Sequence, residues 1–169
     1  MNPSDILPTI AEISVAIVGF AGISFALGNQ GATNDKKMNL FRIRIMVETG
    51  MLMTFLSLTP VLFLSIPTLE PFTWRLSSLM LAMLLPTYTF LSFHRQFRLI
   101  GKYIESKLDY TVFLVQLPTI ALLLMVAFEW GDVPPFGTYL FGLFFWLGIS
   151  ILMFVRIILD SIDVSQSGE

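Results

Sequence analysis

The sequence predicts an all-α integral membrane protein, a bundle of five transmembrane helices. Of the 169 residues, 55% are hydrophobic and only 13% are charged, whereas soluble domains carry roughly 25% charged residues. The mean hydropathy is +0.78, and the charges are clustered, which leaves long uncharged runs. We find no internal repeat, so residues 1–163 are expected to form one transmembrane domain, followed by a disordered cytoplasmic tail over residues 164–169.

Five stretches have the roughly 20 mostly apolar residues that a spanning helix needs. They cover residues 6–27, 43–66, 73–94, 111–130 and 137–159. The breaks between them are "GNQGATNDKKMN", "PTLEP", "RQFRLIGKYIESKLD" and "GDVPP", which carry turn or charge signals. The first stretch is diluted by Pro8, Glu12, Ser14 and several glycines and alanines. A helix lying on the cytoplasmic surface is therefore the alternative for that stretch.

The basic residues predict the orientation. If all five stretches span, Arg75 is the only Lys or Arg on one side of the membrane, and the other side holds nine: Lys36, Lys37, Arg42, Arg44, Arg95, Arg98, Lys102, Lys107 and Arg156. Because Lys and Arg in short loops stay in the cytoplasm, we expect the N-terminus outside and the C-terminus inside. Trp74 and Trp130 then lie at the outer interface, where indoles are favoured.

The segment "RQFRLIGKYIESKLDY" is amphipathic, with Arg95, Arg98 and Lys102 on its basic side. It is expected to form a short cytoplasmic helix on the membrane surface, where it would attract anionic lipid or a partner protein. The alternative is that it extends the third helix below the bilayer.

Glu12 is the first candidate for a polar station, by which we mean a polar or charged residue with a role inside the membrane. A helical projection places it on one face of the first helix with Gly19 and Gly22. Small residues allow close helix packing in lipid, so we expect this face, and Glu12 with it, to turn inward against protein. There Glu12 either pairs with a polar group or serves as an ion or proton site; snorkelling to the interface is a third interpretation.

The remaining stations are expected nearer the cytoplasm or deep in the bundle. Arg44 and Glu48 are four residues apart, which predicts an ion pair on one helix face, and Arg156 of the fifth helix is predicted at a similar depth. Gln116 is the most polar uncharged residue deep in a helix. These groups either join helices or line a polar pathway.

Prolines at positions 60, 86 and 118 remove backbone donors within three helices. The neighbouring Thr59, Thr87 and Thr119 are expected to bond the nearby backbone. The resulting kinks are either structural or act as hinges of a gate.

Close helix contacts are predicted at four glycines: Gly19, Gly22, Gly142 and Gly148. A chain of this size encloses little volume, so a solvated path through one copy would be narrow. The small-residue face of the first helix, together with Gly142 and Gly148, favours helix contacts between copies, and the protein is predicted to be a homo-oligomer.

Several kinds of chemistry are excluded. The chain has no cysteine and a single histidine, His94, so paired-histidine haem ligation and ordinary zinc sites are absent. No phosphate-binding loop and no Ser/His/Asp set is present. We therefore predict no cofactor, no metal and no enzymatic activity, and the net charge of −2 gives no support to nucleic-acid binding.

The motif "AEISVAIVGFAGI", followed after a polar loop by "RIRIMVETG", is similar to the start of a group of small bacterial multipass membrane proteins of uncharacterised function. The resemblance covers the first third of the chain and implies a bacterial inner (plasma) membrane. Two functions fit the residues: a homo-oligomeric channel or small-solute or ion transporter, and a non-catalytic scaffold or accessory subunit that acts through a membrane or cytoplasmic partner.

Overall fold

The computed structural model of the chain describes residues 3–27, 33–100 and 107–166. Within these ranges the backbone forms five α-helices and one short 3-10 turn at Glu70–Phe72, and it contains no strand. The helices are α1 (Pro3–Leu27), α2 (Thr33–Leu64), α3 (Thr73–Ile100), α4 (Lys107–Ala127) and α5 (Pro135–Gln166). The all-α prediction is confirmed.

Four segments of these helices are long and apolar enough to cross a membrane: Asp5–Ile23, Ile43–Leu64, Glu70–Arg95 and Pro135–Leu152. They are compatible with a multipass membrane protein, and they include the first stretch, which the sequence left open. The apolar part of α4, Leu114–Ala127, is shorter than the roughly 20 residues that a span needs. The fifth span therefore stays a prediction.

Long-range contacts show that consecutive helices run antiparallel. Arg95 of α3 contacts Glu48 of α2, whereas Arg75, at the start of α3, pairs with Glu129 just after α4. The loops over residues 65–72 and 128–134 therefore share one end of the bundle, which we term the outer end. The opposite end, which carries Arg95, is termed the inner end; these names follow the predicted orientation, which stays a prediction.

The core lies where all five helices meet. Each helix contributes at least one leucine with no exposed surface: Leu7, Leu56, Leu81, Leu85, Leu123 and Leu143. In a bilayer the lipid tails are as apolar as leucine, so close packing and hydrogen bonds between helices, more than the hydrophobic effect, hold the bundle together.

The turn after α4 ends the helix by a Schellman arrangement. The Trp130 N–H donates to the Met125 carbonyl at 2.9 Å, and the Glu129 N–H donates to the Val126 carbonyl at 3.3 Å. Glu129 has a left-handed φ of 55°, at a position that usually holds glycine. Unlike a glycine, Glu129 has a side chain, and its carboxylate forms an ion pair with Arg75 that connects the turn to α3.

The inner ends of α3 and α5 extend beyond the apolar spans. Arg95 and Arg98 both lie on α3, which continues to Ile100; this favours the extended third helix over a separate surface helix, although residues 101–106 lie outside the described ranges. Helix α5 continues to Gln166, and so includes part of the segment for which a disordered tail is predicted.

Candidate functional site

The Glu48 carboxylate forms ion pairs with two arginines between α2 and α3, toward the inner end of the bundle. Arg44 Nε donates to Glu48 Oε1 at 2.7 Å. Arg95 Nη1 donates to both carboxylate oxygens, at 2.9 Å and 2.7 Å, and the Tyr88 hydroxyl donates to Oε2 at 3.2 Å. We term these four residues the inner cluster. Its two guanidinium groups and one carboxylate carry a net charge of +1.

The sequence predicts only part of this cluster. The pair of Arg44 and Glu48 is present as the i, i+4 spacing on α2 predicts. The sequence does not predict the second arginine, because Arg95 lies 47 positions from Glu48. The amphipathic pattern instead places Arg95 on a surface for lipid or a partner protein. The positions of the charges along the sequence do contain a signal for this contact. Arg95 directly follows the third apolar stretch, and Glu48 lies near the start of the second. Antiparallel packing of these two helices brings both residues toward the same end of the bundle.

The inner cluster lies at the membrane boundary. Arg44 and Arg95 are at the inner limits of the apolar segments Ile43–Leu64 and Glu70–Arg95, whereas Glu48 is four residues, or about 6 Å, deeper than Arg44 at 1.5 Å per residue. A carboxylate at that depth is costly unless it is paired. The two arginines offset this cost while their own charges stay at the level of the headgroups.

Tyr88 connects the inner cluster to α5. Its ring lies against Trp146, with 5.4 Å between the ring centroids, and its hydroxyl contacts Glu48. Helices α2, α3 and α5 therefore meet at one tyrosine. The side chain of Arg156, predicted at a similar depth on α5, lies outside the described part of the chain.

Glu12 differs from the prediction. Its side chain is exposed on the outward face of α1, so the expectation that it turns inward against protein is wrong within the chain. The inward face of α1 instead carries Leu7, Ile10, Ala11, Ser14 and Ala21. Both faces hold small residues, and the pattern alone could not decide which of them would pack.

Gln116 joins α4 to α3. Its side chain is buried, and Oε1 accepts a hydrogen bond from Thr89 Oγ1 at 2.9 Å. Among the residues that the structure describes, its Nε2 has no hydrogen-bond partner, and the same is true of the buried hydroxyls of Ser77 and Ser78. Gln116 thus acts as a contact between helices, which is one of its two predicted roles, and its amide keeps unused donor capacity.

The carbonyl freed by Pro60 has a partner that the sequence does not reveal. Proline has no N–H, so the Leu56 carbonyl one turn earlier loses its helical donor. The Tyr139 hydroxyl of α5 donates to that carbonyl at 2.6 Å. As predicted, Thr59 bonds the nearby backbone, at the Phe55 carbonyl, 2.8 Å away.

The other two prolines follow the predicted pattern in their threonines. Thr87 and Thr119 donate to the Met83 and Val115 carbonyls at 2.7 Å and 3.2 Å. Helices α3 and α4 continue through Pro86 and Pro118.

Within the described part of the chain, one of the four predicted glycines packs closely on another helix. A Cβ at Gly142 would lie 2.9 Å from a Leu81 methyl, whereas Cβ atoms at Gly19, Gly22 and Gly148 would have no described neighbour within 4 Å. The tightest approach is at Gly50, which the sequence did not single out. A Cβ there would lie 2.5 Å from Val18 Cγ2 and 3.2 Å from the Ser14 carbonyl oxygen of α1.

Other predicted positions add little to a reactive site. Arg98 is exposed one turn beyond Arg95, and Lys102 lies outside the described residues. Among the described residues, no group of three or more His, Cys, Asp or Glu side chains is placed to hold a metal ion. The arrangement offers charge and hydrogen bonds but no set of ligands for a cation.

Comparison with known proteins adds no family: no family model, no curated protein and no solved structure matches the chain significantly. The resemblance to small bacterial membrane proteins therefore stays a prediction.

Proposed function

We propose that the protein is a homo-oligomeric channel or small-solute or ion transporter whose pathway runs between copies, along the outward face of α1. The observation that carries this proposal is Glu12, an exposed carboxylate on that face. It lies about 10 Å inside the start of the apolar segment Asp5–Ile23 at 1.5 Å per residue.

Glu12 is unfavourable in contact with lipid. An acidic side chain at the centre of a spanning helix costs roughly 2.5–3.5 kcal/mol on insertion scales, and less away from the centre. The cost falls if water, a cation or a polar group of another copy meets the carboxylate. Ala16, Gly19 and Gly22 continue the same exposed face and leave room for a second helix to approach.

The interior of a single chain does not favour a pathway. Six fully buried leucines, at least one from each helix, fill its centre, and Glu48 is bonded to two arginines. A pathway between copies avoids this packed core, which is why we place it at α1.

Flux through liposomes tests the proposal. We expect purified protein to raise the flux of protons or small ions above that of empty liposomes, and Glu12→Gln to reduce this increment at least severalfold. Asp132→Asn is the matched control, because Asp132 is exposed in the loop between α4 and α5; it should leave flux unchanged. Flux equal to that of empty liposomes, over a range of pH and membrane potential, would overturn the proposal.

A non-catalytic scaffold or accessory subunit is the second candidate. The exposed, basic inner end of α3, with Arg95 and Arg98, favours it because such a surface suits an acidic partner. A stoichiometric partner that co-purifies with the protein and is lost in Arg98→Gln/Lys102→Gln would support this function. Retention of the partner in that variant would count against it.

A further inference from the structure

We propose that the inner cluster is a binding site for the phosphate group of an anionic membrane lipid, with Arg44 and Arg95 as its ligands. The two guanidinium groups come from different helices and are held side by side, because Arg44 Nε and Arg95 Nη1 donate to the same oxygen, Glu48 Oε1. This inference is independent of transport and of Glu12.

Glu48 leaves the inner cluster with one net positive charge and with guanidinium N–H groups that Glu48 does not use. Glu48 neutralises one of the two guanidinium charges, and its hydrogen bonds use one nitrogen of Arg44 and one of Arg95. The remaining guanidinium N–H groups can donate to phosphate oxygens, for which the planar arginine fork is well suited. The side chains of Arg44 and Arg95 are 63% and 40% exposed, so a ligand can reach them.

The position of Arg44 and Arg95 at the membrane boundary favours a lipid ligand over a soluble anion. Both lie at the limits of apolar segments that span about the thickness of a bilayer, which is the level of the headgroup phosphates. Arg98, exposed one turn further along α3, adds a third positive charge at that end. A soluble anion would find the same charges, but it would gain nothing from the adjacent apolar surface.

The outer end provides a contrast within the molecule. There a single arginine, Arg75, pairs with a single carboxylate, Glu129, so the ion pair has no excess charge. Arg75 is as exposed as Arg95, at 40% of its side chain. It is therefore a matched control for the inner arginines.

The test is native mass spectrometry of the delipidated full-length protein in detergent, titrated with phosphatidylglycerol or with phosphatidylcholine. We expect preferential binding of phosphatidylglycerol, about fivefold weaker in Arg44→Gln and in Arg95→Gln. Arg75→Gln should bind as the wild type does. Equal binding by the three arginine variants, or no preference between the lipids, would overturn the proposal.

Glu48→Gln keeps the test informative if an arginine variant does not fold. The glutamine keeps a side-chain oxygen that can accept from both guanidinium groups and so hold them side by side, but it lacks the negative charge that competes with the phosphate. Phosphatidylglycerol binding should therefore tighten. Weaker binding by this variant would contradict the proposal. Inorganic phosphate serves as a further probe: displacement of the lipid at equal concentration would overturn the lipid assignment and indicate a site for soluble anions.

Discussion

The two membrane glutamates of this chain lie in opposite environments. Glu48 receives hydrogen bonds from two arginines and a tyrosine on α2 and α3, whereas Glu12 is exposed on the outward face of α1. The first is part of what holds the bundle together, and the second is available to something outside the chain. An acidic residue in an apolar helix can therefore have a structural role or a functional one, and its partners from other helices distinguish the two.

The largest expected effect on stability comes from a comparison of the inward face of α1, which packs on Gly50, with its outward face, which carries Gly19. Gly50→Leu forces a side chain into Val18 and the Ser14 carbonyl of α1, so we expect it to lower the free energy of unfolding by about 3 kcal/mol or more. Gly19 is exposed, and a Cβ there would have no neighbour within 4 Å among the described residues, so Gly19→Leu should leave the fold intact. Thermal unfolding in detergent, followed by near-UV circular dichroism, measures both variants.

The same pair tests whether copies associate through α1. If they do, Gly19→Leu should dissociate the oligomer in size-exclusion chromatography without lowering the melting temperature of the monomer. A variant that stays assembled would remove α1 as the contact surface between copies.

The next effect concerns the polar contact at the core. Tyr139→Phe leaves the buried Leu56 carbonyl without a donor, which should cost about 1–3 kcal/mol of stability. Pro60→Ala restores an N–H to that carbonyl. The double variant should therefore lose less stability than the sum of the two single variants; strict additivity would show that the Tyr139 hydroxyl does not compensate for the proline.

A smaller effect compares the glutamates directly. Glu48→Gln removes the charge that its arginines bind, and we expect a loss of about 1–2 kcal/mol. Glu12→Gln should change stability by less than about 0.5 kcal/mol, since surface substitutions seldom do more. Equal losses in the two variants, measured by unfolding in the same detergent, would mean that Glu12 has a stabilising partner.

The smallest effect is expected at the outer end. Glu129→Gly relieves a left-handed backbone, worth about 1–2 kcal/mol, but removes an exposed ion pair with Arg75. The lost ion pair and the greater conformational freedom of an unfolded glycine each cost up to about 1 kcal/mol, so the net change should be near zero. Glu129→Ala loses the ion pair and keeps the strain, so it should be the less stable variant. A melting temperature lower for the glycine variant than for the alanine variant would refute this division.

The sequence predicts those features that depend on local spacing. Apolar runs gave the helices, the i, i+4 rule gave Arg44 with Glu48, and the threonines beside Pro60, Pro86 and Pro118 bond the backbone one turn back. Contacts between helices were not predictable in the same way. Tyr139 and Leu56 are 83 positions apart, and no periodicity links a tyrosine to a carbonyl.

The face of α1 shows a second limit. Its projection separates two faces that both contain small residues, so residue size does not decide which face packs on the rest of the chain. The presence of Glu12 beside Gly19 and Gly22 suggested the wrong inward face. What decides is the partner surface, where Gly50 of α2 admits Val18 and Ser14, and that information lies in another helix.

The bond between Tyr139 and Leu56 also has a consequence for biogenesis. The threonine bonds beside the prolines form within single helices, so each can form as soon as its helix leaves the ribosome and enters the bilayer. The Leu56 carbonyl must wait for α5, which is made after α2, α3 and α4. Completion of α2 is therefore coupled to the synthesis of α5, and a chain truncated before α5 carries an unsatisfied carbonyl in α2.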